Sequence, residues 1–237
     1  MTGPDAAAGV FDTVLVQDGR PVAAPAHLAR LVASVREVYD VRLDRADLAA
    51  RVAEAASGCA LARVRVEFAP GSGLSVAATD LAARPRAPWH LVVRRVPGAW
   101  GRHKWRDRSL LAPPEPADAS DLLLVDERDR LLETGRGNVF VVRDGAVVTP
   151  PLDGRILPGV TRATVLDLLA GLDLGARERP VTLSDLRSAD EAFVTNAIGG
   201  IRGVASCAEV GAWPPGPVTR AADEALEQTW RATRDGG

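Results

Sequence analysis

Lysine is nearly missing from this chain: Lys104 is the single one, and 28 of the 29 basic side chains are arginine. Tyrosine occurs once, at Tyr39, and aromatic residues make up only 4% of the chain. Cysteine occurs twice, at Cys59 and Cys207. Two such distant thiols make neither a disulfide framework nor a metal motif, so a reduced, cytoplasmic setting is expected. The histidines, His27, His90 and His103, are scattered, and none has the i, i+4 spacing of a helical metal pair. No run of about 18 apolar residues exists to cross a bilayer. The opening "MTGPDAAAGVFDT" lacks the positive n-region and apolar h-region of an export signal. Charge of either sign is not in excess, with a net −2 and a pI near 6.0. That balance argues against nucleic acid and anionic membrane as partners and leaves a small-molecule substrate.

What is present is ordinary globular composition, 46% hydrophobic and 25% charged over 237 residues. That length supports one large domain or two small ones. The arginine excess accompanies abundant Ala, Gly, Pro and Val, as a GC-rich genome produces. A solvated lysine exchanges for arginine at little cost. A lysine whose work needs a neutral amine does not, because arginine stays charged whereas a desolvated lysine can lose its proton and attack a carbonyl. Lys104 is therefore a candidate nucleophile, set against the plain alternative of a survivor on a solvated loop.

The pattern along the chain reads as α/β, in the α+β sense, with two domains. "VFDTVLV" and "RPVAA" are strands around the turn "QDGR". "PAHLARLVASVREVY" repeats Leu28, Leu31, Val32, Val35 and Val38 at helical spacing, and "LDRADLAARVAEAA" predicts a second helix. "ALARVRVEFAP", "LSVAATDL" and "WHLVVRRVP" predict strands. These make a small N-terminal domain over 1–97, followed by a linker over 98–103 around "PGAWGRH" and a larger domain over 104–237. In the larger domain "SLLA" starts a helix that "PPEPADAS" stops. "DLLLVDERDRLLETGRGNVFVVRDGAVVTPP" predicts a meander of strands with turns at "DERD" and "RDGA". "GVTRATVLDLLAGL" is an amphipathic helix, "VTLSDLRSAD" a strand passing into a short helix, "EAFVTNAIGGIRGV" strand, loop and strand, and "TRAADEALEQTWRATR" a final helix.

Four segments combine chemically. Arg106 and Arg108 beside Lys104 in "KWRDR" would lower the pKa of the amine. Glu133 in "ETGRGNVF" is a carboxylate at a strand end before a glycine-rich turn. "ILPGVTRATVL" delivers a helix N-terminus at Val160 and Thr161, an anion seat suited to phosphate. Arg30 lies on the first helix. Each has a bland reading when taken singly: a solvated strand-end charge, an ordinary helix start, a surface cation. Jointly, an amine, a carboxylate and a phosphate seat are what pyridoxal 5′-phosphate requires.

These residues resemble the class IV aminotransferases, the fold-type IV enzymes that include branched-chain aminotransferases, D-amino acid aminotransferases and 4-amino-4-deoxychorismate lyases. "FDTVLVQDGRP…HLARLVAS", "ETGRGNVF" and "ILPGVTR" carry the resemblance over nearly the whole chain. It implies that Lys104 bonds the cofactor and that Arg30 binds its phosphate. Glu133 then meets the pyridine nitrogen, with Asn138 in the supporting turn. Val160, Thr161, Asn196 and Ala197 complete the cofactor-binding set. Arg106, Arg108 and Arg202 are candidates for substrate carboxylates. It also implies a homodimer with the cofactor between the two domains. "KWRDR" is similar to the lyase pattern around the lysine, and Ser109 stands where branched-chain enzymes usually carry a tyrosine. "RSADEAFVTNAIGGIRGV" resembles the lyase pattern as well. The implied activity is a lyase releasing pyruvate and 4-aminobenzoate, a folate precursor, with an aminotransferase as the alternative. The family's usual opening hairpin is absent, and Gly203–Val204 replaces the usual Pro-Val.

Overall fold

The computed structural model describes residues 3–96, 101–111 and 121–235. Half of the expected linker, 98–100, and the helix-stopping "PPEPADAS" lie outside the described residues. The chain divides into two compact units. One gathers Thr2–Pro85, His103–Leu110 and Trp230–Gly237, and the other Arg86–Arg102 and Leu111–Thr229.

In the smaller unit a Asp18–Gly19 turn, with φ of 50° and 75°, joins β1 (Val10–Gln17) to β2 (Arg20–Pro21). Two central residues at positive φ suit the right-handed twist of a hairpin. α1 (Ala24–Tyr39) and α2 (Arg45–Ala56) follow, and the Asp44 side chain caps α2 by accepting from the Ala46 and Asp47 amides. β3 (Leu61–Ala69) and β4 (Gly73–Asp80) complete an antiparallel sheet of order β2-β1-β3-β4. Alternation puts Val10, Val14, Val16, Val64 and Val66 on one face. They pack with Leu28, Leu31 and Val35 of α1 and Leu48, Val52 and Ala56 of α2. The segment around Lys104 returns to this sheet: Trp105 bridges Val10, and the Phe11 amide donates to the Lys104 carbonyl at 2.8 Å.

The larger unit is built on a nine-stranded mixed sheet. Its strands are β5 (Trp89–Arg95), β6 (Asp121–Val125), β7 (Leu131–Thr134), β8 (Asn138–Arg143), β9 (Ala146–Thr149), β10 (Ala176–Glu178), β11 (Glu191–Asn196), β12 (Gly200–Cys207) and β13 (Gly211–Ala212). The order is β10-β9-β8-β11-β12-β5-β6-β7, with β13 paired to β12. The helices are α3 (Val160–Gly171), α4 (Leu183–Arg187) and α5 (Pro217–Asp235), the last of which belongs to this unit through Thr229. Glu191 caps α5, accepting from the Val218 and Thr219 amides at 3.0 and 2.8 Å.

Three expectations are corrected. The domain boundary does not fall at residue 97, because β5 lies parallel to both β12 and β6 in the larger sheet, while His103–Leu110 belongs to the smaller unit. The meander is broken at "ETGRGN", since β8 pairs with β9 and β11 rather than with β7. The strand expected in "VTLSD" is a single bridge between Thr182 and Arg130, and α4 starts immediately afterwards. Non-local pairing decides the first two, which periodicity does not encode.

Candidate active site

The break between β7 and β8 leaves two strand ends facing one loop. Glu133, at the end of β7, is buried, and its Oε2 accepts from the Leu157 amide at 3.3 Å. Asn138, at the start of β8, donates from Nδ2 to the Leu157 carbonyl at 3.0 Å. Both polar groups of one peptide residue are thus fixed by the "ETGRGN" segment, which locks the loop leading into α3. Gly159 is the N-cap of α3 and supplies no side-chain cap. A methyl group there would stand 2.0 Å from Asn138 Oδ1, so only glycine allows this approach. The first turn of α3 consequently begins with Val160 and buried Thr161, its leading amides uncapped by any side chain.

β11 brings further groups to the same end of the sheet, because Thr195 is the register partner of Asn138. Thr195 is 1% exposed and its hydroxyl has no hydrogen-bond partner. Asn196 Oδ1 accepts from the Ile198 and Gly199 amides at 3.1 and 2.7 Å, forming a tight turn around Ala197. Farther along α3, Arg162 is 1% exposed, donates to the Pro150 carbonyl at 2.9 Å and pairs with Glu178 at 2.6 Å. It anchors α3 to the sheet. Sequence reasoning passed over Arg162, although it shares a helical face with Val165 and Leu169.

In the smaller unit, Arg30 on α1 is not a free surface cation. Its Nε and Nη2 donate to the Asp12 carboxylate at 2.9 Å each. His27 Nδ1 lies 2.8 Å from the same carboxylate and, facing an acceptor, must be the protonated nitrogen. Asp12 is 1% exposed. Burial pushes its pKa up, but Arg30 and the His27 hydrogen bond outweigh that and hold the carboxyl well below the usual range. Asp12 was also passed over. Its signal was an acid in the inward row Val10, Asp12, Val14, Val16, which has to find partners on the covering helix.

Lys104 Nζ lies 5.0 Å from the centre of the Phe11 ring, with Arg65 over the same ring at 3.9 Å. Arg106 pairs with Glu67 at 3.3 Å and donates to the Ala8 carbonyl at 3.1 Å, so its guanidinium is tied to its own unit. Arg108 lies beside Asp107, whose carboxylate accepts from the Asp5 and Ser109 amides at 2.9 Å each. Among the expected site residues, the structure groups Glu133, Asn138, Val160, Thr161, Asn196, Ala197 and Arg202 in the larger unit. Lys104, Arg30, Arg106 and Arg108 belong to the smaller one.

Comparison with known proteins identifies the family. The model of the family described as amino-transferase class IV matches residues 9–207. The chain belongs to that family. A relative from Thermotoga maritima, provisionally named a branched-chain amino acid aminotransferase, is 36% identical over 120 residues. The match covers 50% of this chain and 44% of the relative, so the chain spans less than half of that protein's length. Among solved structures, a hypothetical aminotransferase from Mycobacterium tuberculosis in its PLP-bound form superposes with a TM-score of 0.85. It is 20% identical, covering 99% of this chain and 94% of that one. A provisionally named 4-amino-4-deoxychorismate lyase from Legionella pneumophila gives a TM-score of 0.82 at 21% identity, covering 94% and 91%. At that identity these two structures speak for the fold alone.

The class IV family uses pyridoxal 5′-phosphate, and the residues of the larger unit fit it. A buried carboxylate with one oxygen on a backbone amide suits a protonated ring nitrogen. A helix start without a side-chain cap suits a phosphate. The buried Thr195 hydroxyl, which has no protein partner, is a donor that such an anion would satisfy. Among the described residues there is no helix long and apolar enough to cross a membrane, and no cluster of metal-ligating side chains.

Proposed function

We propose that this class IV enzyme is a 4-amino-4-deoxychorismate lyase, converting its substrate to pyruvate and 4-aminobenzoate. The observation that carries the reading is the setting of Lys104. "KWRDR" matches the lyase pattern, Ser109 occupies the position where branched-chain aminotransferases usually carry a tyrosine, and the chain's one phenol is engaged elsewhere. Tyr39, the single tyrosine, packs its ring at a tilt against Phe68 and donates its hydroxyl to the Ala6 carbonyl at 2.7 Å.

Bound pyridoxal phosphate supplies an electron sink. In this reading Lys104 holds it through its amine. Glu133 would keep its ring nitrogen protonated, and Asn138 holds the Leu157 peptide that Glu133 leans on. The Val160 and Thr161 amides and the Asn196–Ala197 turn would take the phosphate, the role that the family resemblance also gives Arg30. With substrate bound, Lys104 would act as the base that takes the proton from the carbon bearing nitrogen. As the C–O bond to the enolpyruvyl group breaks and the ring becomes aromatic, the Lys104 ammonium would return that proton to the departing enolpyruvate. Proton transfer by a positioned group is worth about 10²–10⁴-fold, so Lys104→Arg should lose at least about 10²-fold in turnover. Full activity of that variant would end the proposal. The reading brings with it a cytoplasmic homodimer that supplies 4-aminobenzoate for folate synthesis.

A second reading, aminotransfer, is favoured by the names of the curated relatives over half of the chain. The two separate cleanly in one assay. A lyase forms pyruvate from 4-amino-4-deoxychorismate with no 2-oxo acid added, whereas an aminotransferase turns over only when both an amino donor and a 2-oxo acid are present.

A further inference from the structure

At the sheet end that carries Glu133 and Asn138, four other residues gather. Trp89 opens β5, Asp121 opens β6, Arg136 stands in the turn after β7, and Arg202 lies near the start of β12. The Trp89 ring is 2% exposed, and its indole N–H has no hydrogen-bond partner. Arg202 lies 4.7 Å from the ring centre and Arg136 lies 5.2 Å from it. Two guanidinium groups therefore flank one buried ring. The Asp121 carboxylate stands beside Arg136, with Oδ2 3.5 Å from its Nε.

Arg202 is braced rather than neutralised. Its Nε and Nη2 donate to the Ala87 carbonyl, at 2.8 Å for Nε, which orients the planar head without supplying a countercharge. Burial lowers its pKa, and the nearby Arg136 charge adds to that effect. Arg136 has Asp121 beside it, whereas Arg202 rests on an apolar wall with a neutral carbonyl as its partner, a setting that gains from an added anion. A pre-oriented guanidinium favours a planar, bidentate one.

We propose that Arg202, with Arg136 beside it, binds a carboxylate of the substrate. The identity of that carboxylate rests on the lyase reading: 4-amino-4-deoxychorismate has one on the ring and one on the enolpyruvyl group, and each product keeps one. The choice falls on Arg202 over Arg106, whose guanidinium is already held by Glu67 and Ala8. It also adds Arg136, an arginine of "ETGRGN" that pattern reading left without a role.

The test is calorimetric titration of the holoenzyme with 4-aminobenzoate and with pyruvate, using aniline as the probe that lacks a carboxylate. Arg202→Gln should weaken at least one carboxylate about tenfold or more, a loss of about 1.4 kcal/mol. Arg136→Gln should weaken the same ligand, and Arg202→Lys should restore part of the loss. Aniline binding and the melting temperature should stay as in the unaltered enzyme. Unchanged affinity for both carboxylates in Arg202→Gln would overturn the proposal, as would equal loss of aniline, which would mark a packing defect. If Arg202→Gln does not fold, Arg136→Gln decides by the same criteria. If the enzyme makes no 4-aminobenzoate but pyruvate binding still falls in the variants, the lyase reading fails and the carboxylate site stands.

Discussion

Replacing Asp12 by asparagine is the most informative single change in the smaller unit. The wild-type carboxylate accepts from Arg30 twice at 2.9 Å, from His27 at 2.8 Å and from the Thr13 amide at 2.7 Å. An amide of the same shape keeps one acceptor oxygen and turns an NH₂ group toward donors. Removing one partner of a buried ion pair costs about 3–5 kcal/mol, because the other charge remains buried and uncompensated. The Arg30 side chain is 12% exposed, which lets water relieve a little of that, so the lower end, about 3 kcal/mol, is expected. Urea unfolding of the full chain at pH 7 measures it. The pH dependence supplies an independent check of sign. The native carboxyl lies below its unfolded value, so its contribution is complete above the ordinary carboxylate pKa of about 3.9 and is lost as pH falls through and below it. The gap between wild type and Asp12→Asn should be flat from about pH 7 to 5 and shrink below about pH 4. A gap under about 1 kcal/mol at pH 7, or one that persists undiminished at the acid end, would refute the reasoning.

Other outcomes follow from the same structure. Gly159→Ala forces a methyl group to within 2.0 Å of Asn138 Oδ1, so the loop into α3 must move; holoenzyme formation should weaken, read as a fall in bound cofactor per protomer. Glu191→Ala uncaps α5 at two amides and should cost about 1–2 kcal/mol in unfolding free energy. Cys207 is 2% exposed and its thiol is pushed up to about 12 by burial, so at pH 8 a thiol reagent should modify half-exposed Cys59 and leave Cys207 until the protein unfolds. Mass spectrometry of the labelled peptides reads that order.

Local features of the fold were legible because they are written in neighbouring residues. The Asp-Gly turn, the apolar rows of β1 and β3 and the stripe of α1 follow from spacing alone. The path of β5 into the larger sheet and the break between β7 and β8 were not, since both depend on partners more than thirty residues away. The site divides in the same way. Lys104 stood out by the scarcity of its residue type, and Glu133 and Val160 by the segments around them. Arg30 was placed correctly on its helix but without its partner, because an aspartate inside an apolar strand reads as noise until the facing helix is known. Arg136 and Trp89 had no pattern at all; only the packing of three strand ends brings them to Arg202.

The most direct test of the central claim is a product balance. Cofactor-loaded enzyme is given 4-amino-4-deoxychorismate with no 2-oxo acid, and pyruvate and 4-aminobenzoate are quantified together. The lyase reading predicts equal amounts of both over many turnovers. Absence of both from enzyme that visibly carries its cofactor would contradict it and leave aminotransfer as the activity to assay.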